Sequence, residues 1–283
     1  MSTNTVILTS RNQNPNLPNQ YIYQFPSTNN FKNHEIALIQ FSVYNSFFNI
    51  ETSRNNNIVT LVWNALVPTT HNFTFQNGFY SISDMNYALQ NFCLLNNLYM
   101  VDSVNNKNVY FVEILSNATT YSAQLNFYPI PTSAQASTNQ WTIPTGATWN
   151  FPTTAKTPQL TFTTNFGTLI GFDSGTYPPT PLNANQQYLS TFSPTISPIS
   201  SIFLNCNLVS SPYSNPSNIL GNTAITSAFG DLIQMKNNTP IYLSIVPASY
   251  NQIEINLLDQ NFETLKIRDK EVVIVLVIKE KIQ

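Results

Sequence analysis

Few residues in this chain could do chemistry, and they are scattered. His34 and His71 are the only histidines; each opens a separate β-patterned run, with no cysteine or acidic cluster beside it. A metal centre needs several convergent ligands, and no His-x-His, Cys-x-x-Cys or carboxylate-cluster pattern occurs. Nucleophile-elbow and phosphate-cradling glycine motifs are also missing from a sequence with only 7 glycines. Asp259, Glu263, Asp269 and Glu271 stand among Lys266, Arg268 and Lys270. Alternating signs of this kind mark a solvated turn more often than paired catalytic carboxylates or a Ca²⁺ site. Cys93 lies in Phe92-Cys-Leu-Leu and Cys206 in Leu204-Asn-Cys-Asn-Leu, so two buried free thiols are expected rather than a disulfide. Trp141 and Trp149 admit two readings: packing within a long loop, or a sugar-stacking platform at a loop tip. This inventory argues against an enzyme and implies no catalytic residue, metal or cofactor.

Composition narrows the partners. Only 8% of the 283 residues are charged and the net charge is -2, so no basic surface for nucleic acid is expected. Apolar residues make up 42%, with 19 Phe and 14 Tyr to fill a core, which leaves Asn, Ser, Thr and Gln to cover the surface. Such a surface packs against neighbours with little charge repulsion, and it equally suits a chain with no such role. The first ten residues have neither a basic start nor a long apolar stretch, so neither a signal peptide nor a membrane span is expected.

The elements that must position these residues are mostly strands. In the run from Ile253, Ile255 and Leu257 face one way while Glu254 and Asn256 face the other. Val272 to Ile278 is apolar throughout and mostly β-branched, which predicts a central strand covered on both faces. Glu35 to Tyr44, Ile58 to Trp63, His71 to Phe75, Val109 to Leu115, Tyr121 to Tyr128, Leu160 to Phe166 and Ser201 to Val209 also read as strands. One helix is expected after Ser81, whose spacing to Asp84 is that of a capping box; Met85, Leu89 and Phe92 share a face. Many strands, one helix and long connections predict an all-β fold, a single jelly-roll (Greek-key) sandwich spanning residues 34–283. Residues 129–158 are rich in Pro, Thr, Ser and Ala and read as a loop insertion. Residues 1–33 read as an N-terminal arm, a polar, proline-bearing tether with Val6, Ile7 and Leu8 near its tip. Such an arm could add a strand to a neighbour or be an idle tail.

Five segments carry a resemblance in their order. They are Glu35-Ile-Ala-Leu-Ile-Gln-Phe-Ser-Val-Tyr-Asn-Ser-Phe-Phe-Asn-Ile, Gly78-Phe-Tyr-Ser-Ile-Ser-Asp-Met-Asn-Tyr-Ala-Leu, Gly167-Thr-Leu-Ile-Gly-Phe, Ile202-Phe-Leu-Asn-Cys-Asn-Leu-Val and Ile255-Asn-Leu-Leu-Asp-Gln-Asn-Phe-Glu-Thr-Leu. Together they resemble the minor capsid (penton) proteins of virophages and Polinton-like viruses. The resemblance implies a single jelly roll that forms homopentamers at icosahedral vertices beside a double jelly-roll major capsid protein. It also implies a place in the virion after assembly in the host cell. The competing expectation is a β-sandwich attachment or carbohydrate-binding module displayed on a surface, using Trp141 and Trp149.

Overall fold

Alternating apolar residues at both ends of the chain build one sandwich. In the computed structural model, which describes residues 3–281, the first strands are β1 (Thr3–Thr9), β2 (Leu17–Asn30) and β3 (His34–Tyr44). Next come β4 (Ile58–Trp63), β5 (Thr69–Thr74), α1 (Ile82–Leu95), β6 (Met100–Asp102), β7 (Lys107–Val109), β8 (Val112–Asn117) and β9 (Ser122–Phe127). They are followed by α2 (Ser133–Asn139), β10 (Trp141–Thr142), β11 (Gln159–Phe162), α3 (Thr164–Ile170), β12 (Gly175–Tyr177) and β13 (Gln186–Leu189). The chain closes with β14 (Ser201–Cys206), β15 (Ile219–Ala224), β16 (Leu232–Lys236), β17 (Ser249–Leu258) and β18 (Val273–Glu280). Two-residue strands at Gln13–Asn14 and Leu243–Ser244 pair with β2 and β3.

The chain divides into two compact units, residues 1–47 with 199–283, and residues 48–198. In the first unit one sheet runs β1-β18-β3-β16 and the other β15-β14-β17-β2, all antiparallel. Numbered within this unit, the strands lie first-eighth-third-sixth and fifth-fourth-seventh-second. This is the jelly-roll order, in which consecutive strands mostly cross from sheet to sheet. One core joins the inner faces: Leu8, Ile36, Phe41, Ile274 and Leu276 from the first sheet, and Tyr21, Leu204, Cys206, Ile255 and Leu257 from the second.

A bulge in β3 keeps that inner face apolar. Val275 pairs with Gln40 but Leu276 pairs with Leu38, so β3 holds one extra residue. The buried positions accordingly change parity, from Ile36 and Leu38 to Phe41 and Val43. Asn237 satisfies the displaced backbone: its amide Nδ2 donates to the Leu38 carbonyl at 3.0 Å, and its backbone N–H to the Ile39 carbonyl at 2.8 Å. Across the core, a side chain at Gly221 would begin 3.0 Å from Leu38 Cδ2, so glycine there lets β15 approach β3.

The second unit has its own core, centred on Trp63, Phe111, Phe127 and Phe166. Its sheets are β12-β11-β4-β5, β13-β9-β8 and β10-β6-β7. The N-terminus of α1 has the expected capping box, with the Ser81 hydroxyl accepting from Asp84 N–H and Asp84 accepting from Ser81 N–H.

The structure departs from several sequence expectations. The insertion is far larger than residues 129–158. It comprises residues 48–198, lies between the third and fourth jelly-roll strands, and takes in five runs that the sequence assigns to the jelly roll: those of β4, β5, β8, β9 and β11. Residues 129–158 are not a plain loop, since they hold α2, β10 and the Ile130–Lys156 bridge. Among the described residues three α-helices form rather than one. Residues 3–33, the described part of the expected arm at 1–33, are not a tether: β1 and β2 occupy most of them and pair within their own unit. The strand of Val272 to Ile278 is central, as expected, but asymmetric. Ile274, Leu276 and Ile278 are buried, whereas Val273, Val275 and Val277 on the other face are half-buried.

That asymmetry predicts which substitution is lethal to the fold. Leu276→Asp places a charge in the closed core, a loss of several kcal/mol against a total stability of about 5–15 kcal/mol, and should abolish folding. Val275→Asp should lower the melting temperature yet leave a folded protein. Thermal melts of the two purified variants check the order; equal losses would contradict the one-sided burial.

Candidate functional site

The first candidate is the apolar trio of β1. Its ladder to β18 runs from Thr3 opposite Lys279 to Thr9 opposite Val273. Val6 and Leu8 point into the jelly-roll core, while Ile7 is 54% exposed. The expectation that all three meet a neighbour is therefore corrected: two of them complete their own sandwich, because period-2 alternation turns only every second side chain outward. Within its unit β1 ends its sheet, so among the described residues its outer row of backbone groups pairs with no strand there.

The second candidate is Trp141 with Trp149, and the structure does not join them into a platform. Trp149 is buried, its ring edge-on to Trp63 at 5.3 Å and to Phe151 at 6.1 Å. Its indole N–H donates to the Asn97 carbonyl at 2.6 Å. A tryptophan spent in this way is core. Trp141 remains half-exposed on β10, which pairs with Val101 and Asp102 of β6, and its ring is held edge-on by Phe111 at 6.1 Å. It lines an open cleft of about 610 Å³ together with Tyr110, Tyr128, Gln135, Asn139 and Asn183. Sequence reasoning missed the other members of this cleft; Asn183 stands more than forty residues from Trp141 and no local pattern links them.

The remaining chemical candidates are structural. Among the described residues no group of three or more His, Cys, Asp and Glu could hold a metal ion. His71 meets the Thr69 hydroxyl at 2.8 Å, and burial lowers its pKa; His34 Nδ1 lies 2.9 Å from the Lys32 carbonyl. In the C-terminal acidic segment Asp259 is buried rather than solvated, a correction to the sequence reading. Its Oδ1 accepts from the backbone N–H groups of Asn261 and Glu263 at 2.8 and 2.9 Å, which fixes the turn. Asp269 does the same for Glu271 N–H at 2.7 Å. Both cysteines are free and buried, as the sequence predicts, and burial pushes each thiol up to about 12. Thiols so raised are poor nucleophiles.

No protein-family profile matches the chain, and no curated protein matches it. Among solved structures it is similar to the mavirus penton protein, at 11% identity, with 99% of each chain covered and a TM-score of 0.46. It is also similar to a chain of the Sputnik virophage structure, at 12% identity, with 99% of this chain and 98% of that chain covered and a TM-score of 0.44.

Two outcomes are expected. Deleting residues up to Ser10 removes the Val6 and Leu8 side chains from the core, at about 1.5–3 kcal/mol each, and strips one edge of β18. The truncated protein should melt well below the full chain; an unchanged melting temperature would show that β1 is dispensable. The second concerns alkaline pH. Cys93 and Cys206 rise on folding from 9.0 to about 12, and Tyr21 from 10.0 to about 12, all chiefly through burial. The unfolded chain releases these protons first, so stability is intact below about pH 9 and falls as pH rises toward 12. Thermal melts from pH 8 upward should show this decline, and alanine at Cys93 and Cys206 should shallow it.

Proposed function

We propose that this chain is a penton-type minor capsid protein, a homopentamer at icosahedral vertices that contacts a double jelly-roll major capsid protein within the virion. A jelly roll alone does not name a function. The observation that carries the reading is the edge of its first sheet. β1 reads Thr-Asn-Thr-Val-Ile-Leu-Thr, with no charge and no proline, and it presents Ile7 outward. Proteins that work alone blunt such an edge with charges, prolines, bulges or a covering segment, because open edges pair promiscuously. An edge left uncharged and unguarded, with Ile7 exposed between threonines, suits a chain whose neighbours cover it. Five copies around an axis need only one heterologous contact, repeated until it closes.

Three further features support the reading. The ordered segments from Glu35 to Leu265 resemble those of penton proteins. The low charge lets copies approach closely. Both cysteines are buried, and Asp259 and Asp269 are occupied in turns. Among the described residues no helix is long and apolar enough to cross a membrane.

Native mass measurement and electron microscopy of the purified full chain test the proposal. Five-membered rings are expected, and Ile7→Lys should yield monomers with an unchanged melting temperature, since Ile7 lies outside the core. A wild-type chain that stays monomeric at every accessible concentration, with or without the major capsid protein, would end the proposal.

A further inference from the structure

We infer that the cleft around Trp141 is a binding site for a neutral oligosaccharide. The inference rests on the residues of the inserted unit and stands apart from the capsid reading. Four aromatic rings line the cleft, and three of them, Tyr110, Tyr128 and Trp141, are half-exposed. An aromatic face is the surface onto which the C–H face of a pyranose packs. Around the rings stand Gln135, Asn139 and Asn183, all solvent-exposed, and each amide pairs an acceptor with two donors. None of the residues lining the cleft is charged. Its volume of about 610 Å³ falls in the range of pockets that hold a ligand of several rings.

Two of the rings and one of the amides are held in place. Trp141 is fixed by the β10–β6 ladder and by Phe111. The Tyr128 hydroxyl donates to Glu113 Oε2 at 3.1 Å. Gln135 is set by the capping box of α2: its Oε1 accepts from Thr132 N–H at 2.9 Å and from the Thr132 hydroxyl at 3.2 Å. That arrangement engages the amide oxygen and leaves the amide N–H groups without a partner among the described residues. The side chains of Asn139 and Asn183 make no hydrogen bond to other described residues, so both amides are free to engage a ligand. Rigid rings with adaptable amides lose little entropy on binding.

The lining also discriminates among ligand classes. A nucleotide or sulfated glycan would meet no cation here. A proline-rich peptide would use the rings, but it offers its backbone carbonyls as acceptors and has few donors for the amide oxygens. Vicinal sugar hydroxyls donate and accept together, and so satisfy both ends of Asn139 and Asn183.

The test is an array of neutral, sialylated and sulfated glycans probed with the full chain, with hits titrated calorimetrically as free oligosaccharides. Neutral glycans should be retained. Trp141→Ala should weaken binding about tenfold or more, and Trp141→Phe should keep most of it. Asn139→Ala, at an exposed position, should weaken binding several-fold with an unchanged melting temperature. The inference is overturned by an empty array, by retention of acidic glycans alone, by hits indifferent to both Trp141→Ala and Asn139→Ala, or by Trp141-dependent binding of a polyproline peptide without any glycan. A chain that binds glycans yet forms no rings would keep this inference and end the capsid proposal; rings without glycan binding would do the opposite.

Discussion

The jelly roll depends on one strand that cannot form until both chain ends are present. β18 hydrogen-bonds to β1 along one side and to β3 along the other, so residues 273–280 are held between residues 3–9 and 34–44. Its inner row, Ile274, Leu276 and Ile278, then meets the second sheet across the core. Both ladders join residues more than two hundred positions apart in sequence. Loop-closure entropy must be met before the ladder returns any stabilisation, which places this fold among the slow, nonlocal class. The ion pair of Lys279 Nζ with Glu35 Oε1 at 3.2 Å, and the placement of Lys279 over the Tyr242 ring at 3.6 Å, sit at the end of that ladder. Both are half-exposed and add little to its stability.

The same nonlocality explains what could be read in the sequence. Local periodicity marks strands well: Ile253, Ile255 and Leu257 alternate in the sequence and are buried in the fold. The capping box of α1 is visible from Ser81 and Asp84. What periodicity cannot say is which strands share a core. The runs at 58–63, 71–75 and 109–115 alternate as well as any jelly-roll strand, yet they build the second unit. Helix α2 has its signal in Thr132 and Gln135, but Ala136 is its only buried residue, so no apolar face announces it. Helix α3 is only seven residues long, and its end is set by Gly171 at φ +80, where any Cβ would meet the Phe192 carbonyl oxygen at 2.1 Å.

The candidate sites were legible only in part, for a related reason. Exposure is a property of the fold, and side-chain type predicts it poorly for tryptophan. Trp141 and Trp149 stand eight positions apart in one polar segment, and the structure sends one to a cleft and the other to the core. The deciding contacts, Trp63 for one and Phe111 for both rings' neighbourhood, come from distant strands. In β1 the alternation itself held the answer. An apolar trio on a strand cannot face one way, so Ile7 had to part from Val6 and Leu8 once the segment paired.

An insertion as large as residues 48–198 is affordable in this position because it asks little of the scaffold. Lengthening a connection costs about 0.6 kcal/mol for each doubling, a logarithmic penalty that a unit with its own core offsets easily. The jelly-roll ladders use strands on both sides of the insertion and none within it. Changes in the inserted unit therefore leave the register of β1, β3 and β18 untouched, while changes in those strands disturb the closure on which the sandwich depends. On the two proposals above, recognition falls to the inserted unit and assembly to the jelly roll. The aromatic and amide cleft lies in the first, and the unguarded edge of β1 lies in the second.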